Sequence, residues 1–469
     1  MSNRYTRFLL TTLLASSLVR AADGDLDATF GSGGKVQISV ATEGHGTSSI
    51  VATDVAVQSG GKIIVAGYDD QSNCFVARLN VNGTLDTNFA GGNNVGNTPG
   101  FIVFSNGFTS ALAAARPDDR VVVLANGTNG FSYLFQFSAN GALDTSFGAG
   151  GVAGFPRSAG DTTHLSGLVI DSDGTIDVAG TYYANQSGFN SNEFYFVRIS
   201  ADGHTVEPFQ YQFGTGANQD DHATDLAVDS QGRYVLAGYH RGASGNYGFA
   251  AIRIQHDLYD VDNTFGNAGQ TTIDFGDNGD YANAVALTPT GYIALGGRAN
   301  GQAALVLLDP AGNLNQYFSG GLLYSDKFVF NFGTGGGNDT IAKLILDGYD
   351  TQYPQLLAIG SGNQSYASGP GGAAGLMFGV ARLNLPGTYS NFSFDTTFGG
   401  DGAEGVYFAV RPSGIGSFLT TNNGRSAAFA HGKLIAVGDT LASGGTDMAA
   451  TRLAAFDGIF KNGFDNPSL

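Results

Sequence analysis

The chain has one cysteine, Cys74, in 469 residues, so no disulfide can form within it and its stability must come from packing. Basic residues are scarce: 22 Lys and Arg stand against 40 Asp and Glu, a formal net charge of −18. Phosphate recognition needs clustered Lys and Arg, so neither nucleic acid nor an anionic membrane is expected as a partner. Cations stay open as ligands, and the charge favours solubility. Proline is sparse at 11 and no G-x-y period occurs, which excludes collagen and argues against plain disorder. Long helical periodicity is missing. Beyond the first 21 residues no apolar run is long enough to span a bilayer. Tryptophan is absent altogether.

What the chain has instead is glycine, 72 residues of it, within a composition that is 42% hydrophobic. Val, Ile, Tyr, Phe and Thr come in short runs, the vocabulary of strands, and the glycines fall between them as turns. The N-terminus has the form of a secretory leader over residues 1–21. Arg4 and Arg7 precede the apolar run FLLTTLLASSLV, and Val19-Arg20-Ala21 offers a cleavage site. Removing it takes the net charge to near −21 and predicts a secreted protein, periplasmic or extracellular. A buried first strand is the alternative reading of that run. Cys74 reads as a small buried hydrophobe more readily than as a nucleophile.

The sequence repeats itself. LDATFGSGG at Leu26 returns as LDTNFAGG at Leu85, LDTSFGAGG at Leu143, VDNTFGNAG at Val261 and FDTTFGGDG at Phe394. A hairpin-like piece, SGGKIIVAG at Ser59, recurs seven times and ends at Gly67, Asn126, Gly180, Gly238, Gly297, Gly360 and Gly438. A third piece, FVARLN at Phe75, follows each hairpin. The units are near 60 residues long, at about 48–104, 107–156, 163–214, 220–276, 280–333, 338–408 and 414–465. Each parses as four short antiparallel strands joined by S-x-G and N-x-N-G turns. Seven such units in one domain, 22–469, predict an all-β fold, a seven-bladed β-propeller of four-stranded antiparallel blades. A solenoid is the structural alternative and would need shorter units with capping ends.

The combination G-K-I-x-V-A-G, V-A-R-L-N and N-G-x-L-D-x-x-F-G resembles the delta-60 repeat family of bacterial surface and secreted proteins. Units one and four match it well, as does six apart from an inserted loop. The resemblance spans nearly the whole mature chain and implies a propeller and export, with no assigned activity.

Third strands carry Arg78, Arg198, Arg253, Arg382 and Arg452 at one place, where units two and five have Gln136 and Leu307. The echo supplies Asp86, Asp144, Asp262 and Asp395. Structural pairs Arg78–Asp86, Arg253–Asp262 and Arg382–Asp395 are expected, because buried Asp is usually paired. The first echo has no blade before it, and the last unit lacks an outer strand. Residues 24–40 are therefore expected to close blade seven, with Lys35–Val40 as the strand and Asp27 serving Arg452. Closure removes the sheet edges an open ring would expose.

The loops between second and third strands are rich in Tyr, Asn, Ser and Gly, as adaptable binding surfaces are. Tyr68, Tyr182, Tyr183, Tyr239, Tyr247 and Tyr366 are the candidates for a ligand-binding face. Unselected drift of surface loops would give the same composition. An acid precedes the channel strand in four successive units, at Asp161, Asp221, Asp280 and Asp339. Calcium takes such oxygens, but Asp at a loop-to-strand junction more simply bonds nearby amides. TGGGNDTI imitates one calcium nonapeptide and DSDG reads as a hairpin turn; no cofactor is required. His164 and His222, each near an Asp of that series, are the acid–base candidates. No G-x-S-x-G elbow or P-loop is present, and the lack of Trp counts against a quinone-dependent propeller dehydrogenase.

These features predict a monomeric, secreted, non-catalytic scaffold that binds an extracellular protein or glycan through its loop-bearing face. The alternatives are an extracellular hydrolase or lyase with a site at the channel mouth, and a structural surface component.

Overall fold

The computed structural model describes residues 24–38, 49–90, 99–104, 107–156, 158–186, 189–214, 220–256, 260–276, 279–314, 316–319, 322–325, 327–332, 337–347, 355–365, 374–385, 392–395, 398, 406–408, 422–442 and 445–453. The leader lies outside them. Among the described residues there is no helix, so none long and apolar enough to cross a membrane.

The repeat units are the blades of a seven-bladed propeller. Blade one pairs Ile50–Val57, Ile63–Asp69, Cys74–Leu79 and Phe101–Phe104 in that order, all antiparallel. Blades two to five repeat the pattern, and blade five carries an extra hairpin, Gln316–Ser319 with Leu322–Ser325, before its outer strand Lys327–Phe330. In blade six the outer strand comes in two pieces, Ser393–Phe394 and Val406–Phe408. Blade seven takes its outer strand from the other end of the chain: Lys35–Ile38 pairs with Gly445–Leu453, Lys35 opposite Thr451. The closing strand is therefore N-terminal, as expected; Ser39 and Val40 lie outside the described residues. The core is divided into seven wedges, one between each pair of neighbouring blades and one between the last and the first.

The inner strands explain why the hairpin ends in glycine. Each carries a bulge, at Thr53 in blade one and Thr224 in blade four, and a bulge pushes a carbonyl toward the partner strand. A Cβ on Gly67 would meet the Val51 carbonyl oxygen at 2.1 Å, and one on Gly238 the His222 oxygen at 1.8 Å. The bulge residue then joins neighbouring blades. Thr53 Oγ1 donates to the Ala111 carbonyl at 2.5 Å, Ser166 to Ala223 at 2.9 Å, Thr224 to Ala282 at 2.9 Å, and Asn283 Nδ2 to Ile341 at 2.9 Å. Each bond reaches the next blade's inner strand.

Charge crosses the channel as well. Lys343 of blade six puts its Nζ 3.2 Å from both carboxylate oxygens of Asp225 in blade four. Asp225 also accepts from the Val285 amide of blade five at 3.0 Å. Asp54 of blade one accepts from the Ala113 amide of blade two and from Ser426 Oγ of blade seven. Burial pushes the Asp54 carboxyl up, and the Lys343 charge and the donors oppose this.

On the opposite ends of the blades sit the arginine locks. Arg78 Nε donates to Asp86 at 2.8 Å, Arg253 to Asp262 at 2.8 Å, Arg382 to Asp395 at 2.9 Å and Arg452 to Asp27 at 2.8 Å. Each guanidinium lies over the phenylalanine of its echo, 4.5 Å from the Phe89 centroid and 4.6 Å from that of Phe30. Its second nitrogen reaches the next blade, from Arg78 to the Ala139 carbonyl and from Arg253 to Pro310. The echo is thus an interblade lock. Blade two keeps the lock with its parts exchanged. Blade one has Gln58 just after the inner strand, facing Arg78; blade two has Arg116 at that place, donating to Gln136 at 2.7 Å and to the Ala201 carbonyl of blade three at 3.1 Å. Gln136 in turn donates to Asp144 at 2.8 Å.

Candidate functional site

The four acids that precede inner strands are wholly buried. Asp221 accepts from the Phe213 amide at 3.0 Å, Asp280 from Phe275 at 2.6 Å and Asp339 from Phe332 at 3.0 Å. These phenylalanines lie 8, 5 and 7 residues before their Asp, so the carboxylate ties the end of one blade to the start of the next. Asp161 is held by the Tyr182 hydroxyl at 2.6 Å and the Asn185 amide at 2.8 Å. The acids do not converge, and among the described residues no group of three or more His, Cys, Asp or Glu is placed to hold a metal ion. Cys74 is buried, its Sγ donating to the Ser110 carbonyl at 3.3 Å, and burial with the nearby Asp69 pushes its thiol up to about 12.

The tyrosine candidates separate. Tyr182 is turned inward: adjacent strand residues face opposite ways, and with Tyr183 on the open side Tyr182 lies buried against Asp161 and Tyr195. That corrects its expected place on the ligand face. Tyr68 packs against the wedge between blades one and two. Tyr366 lies outside the described residues. Tyr183, Tyr239 and Tyr247 come together with His222 and with Tyr281. The His222 ring stacks on Tyr239 at 4.7 Å and meets Tyr183 at 5.8 Å. Tyr281 stands edge-on to Tyr239 at 4.9 Å and tilted against Tyr247 at 5.3 Å. All four tyrosines are partly exposed.

Asp220 organises this cluster. Its Oδ1 receives Asn192 Nδ2 at 2.5 Å and lies 2.7 Å from His222 Nε2; its Oδ2 receives the Tyr247 hydroxyl. Short backbone bridges, Asn192 to Asp220 and Tyr247 to Gly279, hold the start of each third strand against the next blade's entry. Burial by itself would raise the Asp220 carboxyl, but the bonds from Tyr247, His222 and Asn192 outweigh it and hold it low. The Tyr247 hydroxyl is pushed up to about 12 by burial and by Asp220. His222 Nδ1 lies 3.3 Å from Thr181 Oγ1, so both imidazole nitrogens are engaged. The imidazole of His164 is held low, first by burial among its neighbours and then by the nearby His222. Sequence reading missed Tyr281, Asp220, Asn192 and Thr181. The available signals were Tyr281 directly after Asp280 and Asp220 directly before Asp221.

A second titratable cluster lies between blades three and four, where blade three lacks the Asp of the echo. Arg198 turns instead to Asp177, 3.3 Å from its Nε, and to Asp171 at 3.0 Å, with the Tyr234 hydroxyl and His256 Nε2 also at hand. Burial and then the Asp171 charge raise the wholly buried Asp177 from its ordinary 3.8 to about 8. A carboxyl raised on folding contributes stability that is complete below 3.8 and lost as pH rises through about 8. Asp177→Asn should remove that decline. Its melting temperature should gain on the parent's between about pH 5 and about pH 9; a constant difference across the range would show that Asp177 ionises freely in the fold.

Residues 58–89 and 172–204 match the family described as "Domain of unknown function (DUF5122) beta-propeller". The match supports a β-propeller domain of unknown function, within blades one and three. No curated protein matches the sequence. Among solved structures, the chain is similar to the BP39L lectin from Burkholderia pseudomallei, at 14% identity and TM-score 0.46, over 88% of this chain and 97% of that one. It is also similar to a protein from Lactobacillus plantarum, at 13% identity and TM-score 0.45, over 76% of this chain and 88% of that one. A third is Trypanosoma rangeli sialidase, at 9% identity and TM-score 0.43, over 85% of this chain and 59% of that one.

Proposed function

We propose that the protein is a secreted, non-catalytic binding scaffold built of delta-60 repeats, and that its loop-bearing face takes an extracellular glycan or protein at the tyrosine cluster of blades three to five. The observation that carries this is the cluster itself. Tyr183, Tyr239, Tyr247 and Tyr281 present partly exposed rings around a fixed Asn192–Asp220–His222 hydrogen-bond set. Rigid aromatic area with a few oriented polar groups is the usual make-up of a ligand site. Catalysis fits the same residues less well. The imidazole of His222 has Asp220 on one nitrogen and Thr181 on the other, and Thr181 is buried. That is the order of a carboxylate–imidazole–hydroxyl triad, but the hydroxyl His222 could activate is the buried one of Thr181, out of a substrate's reach.

The test is retention on immobilised glycans and on a panel of extracellular proteins, comparing the intact chain with a Tyr239→Ala/Tyr247→Ala variant. Retention by the intact chain should weaken about 10-fold or more in the variant, as when anchoring aromatics are truncated. Turnover of a bound glycan that disappears in His222→Ala would overturn the non-catalytic reading. Retention that ignores both tyrosines would overturn the site.

A further inference from the structure

Two guanidinium groups flank the tyrosine cluster, and their surroundings differ from those of the other arginines. Arg298 lies over Tyr281 at 5.4 Å, and Arg241 beside Tyr247 at 5.9 Å. Elsewhere among the described residues an arginine faces a carboxylate, as Arg78, Arg253 and Arg452 do. Arg116 is the exception, taken up by Gln136 and two carbonyls. Among the described residues Arg241 has no carboxylate partner, and it donates to the Gly245 carbonyl at 3.1 Å. Arg298 has the face of Tyr281 and, among the described residues, no ion pair. A chain of net charge −18 has acids in excess for its few cations, so two unmatched arginines beside one aromatic patch call for a reason. The acid of the patch does not answer them, since both Asp220 oxygens are engaged by Asn192, His222 and Tyr247.

We infer that the ligand of this face is a saccharide carrying an anionic group, with Arg241 and Arg298 receiving the anion and the rings of Tyr239, Tyr247 and Tyr281 covering the sugar. The inference rests on the binding reading above and narrows it to one ligand class. Arginine suits this role because its planar fork matches a carboxylate or sulfate and stays charged at any working pH. A ring already under the guanidinium keeps the cation oriented while it waits for a partner. The overall negative charge works against indiscriminate polyanion binding, which makes a positive result informative.

The experiment is affinity electrophoresis of the full chain through gels carrying polygalacturonate, dextran sulfate or neutral dextran. Arg241→Gln, Arg298→Gln and their double variant are compared with Tyr239→Ala/Tyr247→Ala. Arg120→Gln, altering an arginine remote from the cluster, is the control, and every variant is first shown to melt like the parent. Retardation by polygalacturonate or dextran sulfate is expected, with about a 10-fold loss of affinity in the double arginine variant, none in Arg120→Gln, and weakening by added salt. Which of the two polymers retards separates a carboxylate from a sulfate as the anion. Retardation by neutral dextran that the tyrosine variant loses and the arginine variants keep would overturn the anionic ligand while leaving the binding site standing. No retardation of the parent by any of the three would overturn the saccharide class and leave only the protein half of the binding reading. Equal loss in Arg120→Gln would reduce the effect to net charge and contradict the site.

Discussion

Deleting residues 24–38 abolishes the cooperative melt of the whole ring, and does not merely fray one end. The segment supplies the outer strand of blade seven, with Lys35 opposite Thr451 and Ile38 opposite Met448. It also supplies the plug Phe30, which is fully buried in the wedge shared by blades seven and one. Asp27 is the partner of Arg452, and both are buried. Without Asp27 the Arg452 guanidinium stays in the wedge uncompensated, a loss of about 3–5 kcal/mol by itself. The freed edge of Gly445–Leu453 would template pairing between molecules. Calorimetry of the truncated chain should show a broad, low transition with aggregation. A truncated chain that melts like the parent would mean that the ring does not depend on the closing strand.

The same physics sets the second large effect. Arg253→Ala should cost about 3–5 kcal/mol of stability, because Asp262 is left buried with a charge and without its main partner. The loss reaches across a blade boundary, since Arg253 also bonds the Pro310 carbonyl and covers Phe265. Arg120→Ala should change stability by less than about 1 kcal/mol: its nearer partner Asp118 is largely exposed, its second, Asp144, stands at 3.4 Å and keeps its bond from Gln136, and such half-exposed pairs contribute little. Denaturant titration of the two variants decides the matter. Equal effects would show that the locks are ordinary surface pairs.

The fold was legible because its constraints fall on single residues at fixed spacing. Gly67 and Gly238 stand where a carbonyl of the bulged strand leaves no room for a Cβ, so the glycine recurs and gives the repeat away. Arg452 and Asp27 were readable as partners because each lacked one within its own unit. What escaped was chemistry without a period. Lys343 meets Asp225 across the channel, from a blade two places away, and no local pattern marks that meeting. Arg116 and Gln136 reverse the order seen at Gln58 and Arg78, so a register-by-register comparison scores blade two as degraded although its lock is complete. The site was half visible. Loop composition pointed to Tyr183, Tyr239 and Tyr247, but strand alternation should have turned Tyr182 inward, as the structure does. Tyr281, Asp220 and Asn192 are common residue types at ordinary loop ends, and only the closeness of neighbouring blades makes them a group.

Hydroxyl-radical footprinting with polygalacturonate tests the central claim most directly, because the chain has 20 tyrosines to report and no tryptophan to dominate the oxidation. The ligand should protect Tyr183, Tyr239, Tyr247 and Tyr281 together and leave the remote Tyr133 and Tyr292 oxidised as before. Retention of the polymer with protection at Tyr133 or Tyr292, and none at the four clustered rings, would contradict it.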